Sequence, residues 1–250
     1  MAEFLQNIDN QNKKEEKREI YTTVLEDSIK NKLYEIASKG YGFAKPKVIT
    51  IDLIKDAIEE YKNENHIFYE VNMTNCKEIS LSFKKIIKIA YLDKLLALEK
   101  LKLDNNVIMK IENLNTLKNI RWLDLSFNDI SKIEGLEELI NLTDLSLFNN
   151  KIEEIGGLDN NTKLNILSIG NNKIRDIKKV CDYLKKFPNL QGLTVSGNIF
   201  NKDVETGNVN SNNQVPSFPL CYEPILVGLD KLKYLDYRPI DPDEVSFFII

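Results

Sequence analysis

Leucine and isoleucine recur in a fixed order along the middle of the chain, which can be written LxxLxLxxNxIxxIxxLxxL. Copies of this order begin at Leu98, Ile120, Leu142, Leu164 and Leu190. The asparagine of each copy follows the previous one by 22, 22, 22 and then 26 residues. A repeat of this length predicts a solenoid, because one unit alone cannot bury its aliphatic face and neighbouring units must stack.

The LxL segment of each copy predicts a short strand. Alternation along a strand places the two leucines in the core and the residues at repeat positions 3, 5 and 7 on the opposite face. Successive strands are then expected to form a parallel sheet on the concave side, while the IxxIxxL half returns as a short helix or 3₁₀ turn. The asparagines should turn inward and satisfy backbone groups of the bend. This structural asparagine ladder is Asn106, Asn128, Asn150, Asn172 and Asn198.

The flanks of the repeats differ from them in pattern. An apolar stripe with helical spacing predicts an amphipathic arm over 13–38, and a second helix is predicted over 51–63 with Thr50 as its N-cap. The second helix is expected to cap the open end of the solenoid, and the alternative makes the arm a separate docking segment. The predicted parts are 1–47 (leader and arm), 48–75 (capping helix region), 76–200 (repeats, beginning with a degenerate copy), 201–218 (flexible insertion) and 219–250 (C-terminal cap and tail).

Composition narrows the function classes. The net charge of −4 and the pI near 5.3 lack the basic excess that drives phosphate-backbone binding, so no nucleic-acid partner is expected. Three scattered cysteines and one histidine predict no metal site, no cofactor and a reducing compartment. Apolar runs are too short for a membrane span, and motifs of catalytic loops do not occur. The sequence therefore predicts a cytoplasmic protein that is not an enzyme.

The outward positions of the predicted strands hold the candidate binding site. Most are small or polar, but Trp122, Phe148 and Ile166 are large and apolar in consecutive repeats. An apolar patch with a polar rim indicates a protein-binding surface. The alternative is that the chain's own arm or insertion covers these side chains, and Phe127 is expected in the core between turns. The predicted rim consists of Lys100, Lys102, Asp124 and Asp144, with Arg121 beside it.

Several stretches resemble a known family. WLDLSFNDISKIEGLEELINLTDLSLFNNKIEEI (122–155) and LKYLDYRPID (232–241) are similar to the short Ile/Leu-rich branch of leucine-rich-repeat proteins, and within it to the leucine-rich-repeat subunits of the nexin–dynein regulatory complex. This resemblance extends over 48–241. It implies an α/β leucine-rich-repeat solenoid with a parallel sheet on its concave face and a helical N-terminal flank.

The resemblance also implies a function. Proteins of that family are structural subunits of the ciliary or flagellar axoneme, a part of the cytoskeleton, so the expected partners are other subunits of the dynein regulatory complex, dynein or tubulin. Two other functions stay open at this point. One is a regulatory subunit that binds a phosphatase or a dynein heavy chain through its concave face, and the other is a ribonucleoprotein adaptor, which the acidic pI disfavours.

Overall fold

A computed structural model of the chain describes residues 47–67, 70–201 and 220–249. All of them belong to one compact unit, Lys47–Ile250. The arm predicted over 13–38 lies outside the described residues, as does nearly all of the insertion predicted over 201–218. No helix within the described ranges is long and apolar enough to cross a membrane.

Short strands form most of the regular structure. The strands are β1 (Lys47–Val48), β2 (Glu78–Ser80), β3 (Ile86–Lys88), β4 (Lys100–Lys102), β5 (Trp122–Asp124), β6 (Asp144–Ser146), β7 (Ile166–Ser168), β8 (Gly192–Thr194), β9 (Tyr234–Leu235) and β10 (Arg238–Pro239). The helices are α1 (Ile51–Glu64), α2 (Ile177–Leu184), α3 (Glu223–Gly228) and α4 (Pro242–Ile249), with 3₁₀ turns at Ile199–Asn201 and Leu220–Tyr222.

Eight strands form one sheet in the order β10-β9-β8-β7-β6-β5-β4-β2. Within this sheet β2 and β4 to β9 pair in parallel, and β10 pairs antiparallel with β9. The register does not shift from unit to unit: Leu123 is opposite Leu101 on one side and Leu145 on the other. The predicted leucine-rich-repeat solenoid is confirmed. A separate two-stranded sheet joins β1 to β3.

The aliphatic residues of the repeat build a continuous core. Leu123 and Leu125, the two leucines of one LxL segment, are 1% and 0% exposed, and their counterparts in other units are equally buried. Because every unit contributes the same positions, the buried side chains of one unit lie against those of the next.

The asparagine ladder lies beside this core and binds the bend. The Asn128 amide nitrogen donates to the carbonyls of Leu103, Leu125 and Ser126 at 3.0, 3.1 and 3.1 Å. Its oxygen accepts from the Ile108 N–H at 3.0 Å. One side chain thus connects two consecutive units. The same type of bonds is made by Asn106, Asn150, Asn172 and Asn198.

The convex return differs between units of different length. In the unit that begins at Ile120 the chain passes through turns, with the Leu139 N–H donating to the Leu136 carbonyl at 3.0 Å. The fourth unit is longer by four residues, and here α2 forms instead. The Asp176 side chain caps α2 by accepting from the Lys179 N–H at 3.0 Å. A 22-residue unit therefore returns in turns, and the 26-residue unit has room for two turns of helix.

The two ends of the array are closed by different devices. Helix α1 begins after Thr50, whose side chain caps it as predicted, and the helix packs against β2. At the other end, the Asp236 carboxylate accepts from the backbone N–H groups of Val195 and Ser196 at 2.8 and 2.9 Å. The Tyr222 hydroxyl donates to the same carboxylate at 2.5 Å. These contacts attach the chain just after β9 to the preceding unit.

Candidate protein-binding face

The outward side chains of the sheet form three rows, which together we call the concave face. The unchanged register sets the first two rows, and the third follows directly after the strands. The first row is Glu78, Lys100, Trp122, Asp144, Ile166, Gly192 and Tyr234. The second row is Ser80, Lys102, Asp124, Ser146, Ser168 and Thr194. The third row is Ser82, Asp104, Ser126, Phe148, Gly170 and Ser196.

The three predicted apolar residues do not form one cluster. Trp122 and Ile166 lie in the first row with Asp144 between them. Phe148 lies in the third row, four residues further along the chain than Asp144. Trp122 and Phe148 are half-buried, and Ile166 is 48% exposed. The face therefore has two apolar margins, one formed by Trp122 and Ile166 in the first row and one by Phe148 in the third row. Polar side chains of the second row lie between them.

Glycines in the next unit explain how two of these side chains are accommodated. A Cβ atom placed on Gly170 would lie 3.1 Å from ring atoms of Phe148, so the ring extends over this glycine. A Cβ atom on Gly192 would lie 3.4 Å from Cγ1 of Ile166. The repeat pattern alone did not predict this relation. A glycine at the same outward position of the next unit, after a bulky residue, is the signal that could have revealed it.

Phe127 lies on the surface, so the expectation that it packs in the core was wrong. Its side chain is 45% exposed, and its ring contacts the Phe148 ring edge-to-face with centroids 5.6 Å apart. Its φ of 53° is in the left-handed region, which turns the side chain outward. The same backbone recurs at the equivalent position of other units, which are Phe83, Asn105, Asn149, Asn171 and Gly197. The repeat therefore requires a left-handed residue here whatever its size.

The two predicted basic rim residues are already paired. Lys100 and Lys102 lie 3.5 and 3.3 Å from the carboxylate of Glu78 in the first row. Arg121 is exposed but precedes β5 and lies outside the three rows. Its carbonyl accepts from the Asp144 N–H at 2.9 Å. The positive charge predicted for the rim is thus displaced to one end of the face.

The two predicted acidic residues lie at the centre of the face. Burial raises the pKa of the Asp124 carboxyl, the nearby Asp104 adds to this, and hydrogen bonds from Ser126 oppose it. The Ser126 N–H donates to Asp124 at 2.9 Å, and the Thr143 hydroxyl donates to Asp144 at 2.6 Å. Among the ion pairs formed by the described residues, none involves Asp124 or Asp144.

One further polar group lies beside these carboxylates. Ser168 is 8% exposed, and its hydroxyl has no hydrogen-bond partner among the described residues. A buried hydroxyl without a partner costs about 1–3 kcal/mol. Ser168 follows Ser146 in the second row, between the two apolar margins. Within the described ranges, no three His, Cys, Asp or Glu side chains lie close enough together to hold a metal ion.

Comparison with protein families matches residues 118–160 and 140–181 to the family described as Leucine Rich repeats (2 copies). Residues 118–181 therefore match leucine-rich repeats, in agreement with the repeat solenoid described above. Repeats of this class indicate a protein-interaction scaffold, and the matched family is defined by its repeat rather than by catalysis. No curated protein matches the sequence.

Solved structures with similar folds include two bacterial proteins and one from an insect. Internalin C2 of Listeria monocytogenes shares 31% identity with a TM-score of 0.46, over 51% of this chain and 54% of that one. InlJ of Listeria monocytogenes shares 19% with a TM-score of 0.47, over 71% and 39%. A chain of the Drosophila melanogaster SNF/U2A′ complex shares 18% with a TM-score of 0.46, over 81% and 91%. This chain thus spans about half of internalin C2 and less of InlJ.

Proposed function

We propose that this protein is a non-catalytic structural or adaptor subunit of the ciliary axoneme, scaffolding the nexin–dynein regulatory link and so helping to regulate dynein-driven motility. The observation that carries the proposal is the resemblance of 48–241 to subunit 3 of that complex, strongest in WLDLSFN, LSLFNN and LDYRPI. The proposed partners are other subunits of the dynein regulatory complex, dynein or tubulin. The proposed location is the cytoplasm and the axoneme of cilia.

The geometry is suited to a scaffold. Strands β2 and β4 to β9 keep one register, so the concave face presents side chains at fixed spacings along the array. Each unit is joined to the next by its buried asparagine, which makes the face stiff. A preorganised surface loses little conformational entropy when a partner binds. Support for the axonemal role in particular comes from the sequence resemblance alone.

Localisation in a motile ciliated cell tests the proposal. The tagged protein is expected along the cilia and should stay with the axonemes after the membrane is removed with detergent. Cross-linking mass spectrometry on those axonemes should then connect the concave face to subunits of the regulatory complex. The variant Asp129→Asn serves as a control. It changes a carboxylate that pairs with Lys151 outside the three rows, so the protein should localise normally.

Two results would count against the axonemal role. The protein could be absent from cilia, or it could be released entirely with the detergent-soluble fraction. Co-purification of a phosphatase catalytic subunit in equal amount, without axonemal proteins, would instead select the regulatory alternative. Either result leaves the leucine-rich-repeat fold and its concave face unaffected.

A further inference from the structure

We propose that the centre of the concave face binds an arginine side chain presented by a segment of the partner protein. The site, which we call the arginine site, consists of Trp122, Asp124, Asp144, Phe148 and Ser168. This inference rests on the proposed function in one respect, since it takes the concave face as the surface that contacts partners. It adds the chemistry of the partner.

Charge is the first argument. Asp124 and Asp144 lie on neighbouring strands, offset by two residues, because Asp144 is opposite Trp122 and Ser146 is opposite Asp124. Strand spacing and rise place their Cα atoms roughly 8 Å apart. A guanidinium group between them can reach both carboxylates, since it carries five N–H donors in a planar fork. Among the described residues neither carboxylate forms an ion pair. Lys102 is opposite Asp124 and its charge lowers the pKa of that carboxyl, but its ammonium group, like that of Lys100, pairs with Glu78.

The unpartnered hydroxyl is the second and independent argument. Ser168 lies next to Ser146 in the second row, and its Oγ is buried without a partner. Its neighbours Leu167 and Ile169 are in the core, so alternation directs the Ser168 side chain toward the concave face. Buried polar groups are nearly always satisfied in native proteins, and an N–H donor from a bound side chain would satisfy this oxygen.

The aromatic margins favour arginine over lysine. Trp122 lies beside Asp144 in the first row, and Phe148 follows Ser146 by two residues on the same outward face. A planar guanidinium can stack on an aromatic ring while its edge binds carboxylates, whereas an ammonium group is a hydrated point charge. Burial raises the pKa of Asp124 even though hydrogen bonds from Ser126 and the nearby charge of Lys102 lower it, so this carboxylate would gain from a closer positive partner.

The chain provides its own reporter for the test, because Trp122 is its single tryptophan. We would titrate the full-length protein with the pentapeptide acetyl-GLRLG-amide and follow the indole fluorescence and the indole N–H signal by NMR. Saturable changes are expected with this peptide. The lysine peptide should bind several-fold more weakly, and peptides with citrulline or glutamate in place of arginine should bind at least tenfold more weakly.

Variants assign the binding to the proposed groups. Asp124→Asn and Asp144→Asn should each weaken the arginine peptide at least tenfold, and Ser168→Ala should weaken it by a smaller factor. Asp129→Asn, which removes a carboxylate outside the three rows, should bind like the wild type. Circular dichroism of each variant checks that it is folded.

Several outcomes would overturn the inference. Equal binding of the citrulline peptide would show that charge is not recognised, and unchanged binding by both aspartate variants would place the site elsewhere. A change in Trp122 emission caused by Arg18→Gln alone would identify the occupant as the chain's own leader. Concentration-dependent dimerisation that the aspartate variants abolish would identify it as a second copy.

The two proposals fail separately. A protein that stays with axonemes but ignores the arginine peptide retains its proposed function and loses only the arginine site. A protein that binds the peptide through Asp124 and Asp144 but is absent from cilia retains the site and loses the axonemal role.

Discussion

The core side and the concave face of the sheet differ in how their polar groups are satisfied. Beside the core, the Asn128 amide binds three carbonyls and one N–H, so these four backbone groups have a partner within the chain. On the concave face, Asp124 and Asp144 have hydrogen bonds but no ion pair within the described residues. Inner positions repeat nearly unchanged, whereas outward positions vary from unit to unit. We therefore assign the repeated inner positions to the stability of the fold, and the outward positions that vary to the recognition of a partner.

The inner ladder offers the strongest test of this contrast. Asn128→Ala should lower the free energy of unfolding by about 4 kcal/mol, because it leaves several buried backbone groups unpaired. Chemical denaturation followed by circular dichroism measures the loss. Asn119→Ala, which removes one exposed hydrogen bond to the Leu96 carbonyl, is the control and should cost less than about 1 kcal/mol. Equal losses in the two variants would refute the special role of the ladder.

Adjacent residues on opposite faces give the next test. Leu123→Ala truncates a fully buried side chain and should cost about 3 kcal/mol. Trp122→Ala, one residue earlier, should cost about 1 kcal/mol and should instead weaken partner binding. Denaturation curves are measured on both, and binding to the arginine peptide is measured by calorimetry, because Trp122→Ala removes the indole reporter. If Trp122→Ala unfolds the protein while binding per folded molecule is unchanged, the outward assignment is wrong.

Much of this contrast follows from the sequence, since the 22-residue step sets the register and the period of two sets which side chains face the core. Other features depend on the size of the side chains in the neighbouring unit. The pattern within one unit carries no information about that size. Phe148 extends over Gly170 and Ile166 over Gly192, so each bulky side chain depends on a glycine in the next unit. Phe127 was misassigned because its backbone angle, rather than its hydrophobicity, decides where it points.

The aromatic pair at the edge of the face should contribute a smaller, measurable energy. In a double-mutant cycle of Phe127→Asn and Phe148→Ala, the coupling energy should be about 1 kcal/mol, as edge-to-face ring contacts give. Phe83→Asn combined with Phe148→Ala is the matched control, because Phe83 has the same left-handed backbone two units away. That pair should be additive. Coupling of equal size in both cycles would show that the ring contact is not its source.

The smallest expected effect has the opposite sign. Burial raises the pKa of Asp124 in the folded state, so its ionisation destabilises the fold above that pKa. At pH 7, Asp124→Asn should therefore stabilise the protein by about 0.5 kcal/mol while weakening the arginine peptide. The gain should disappear as the pH falls below 3.8, the ordinary carboxyl value, where the wild-type group is protonated in both states. A variant that is less stable at pH 7 contradicts this.

The constant register of the parallel strands also limits the shape of a long partner. Neighbouring strands are separated by roughly 4.8 Å, whereas an α-helix advances by about 5.4 Å per turn. When a helix lies across the strands, each helical turn is displaced from the corresponding strand by about 0.6 Å more than the turn before. The displacement is close to 2 Å after three turns. Such a helix can stay matched to only a few consecutive units. Affinity should therefore concentrate in a short stretch of the array, and longer helical partners should gain little from the remaining units.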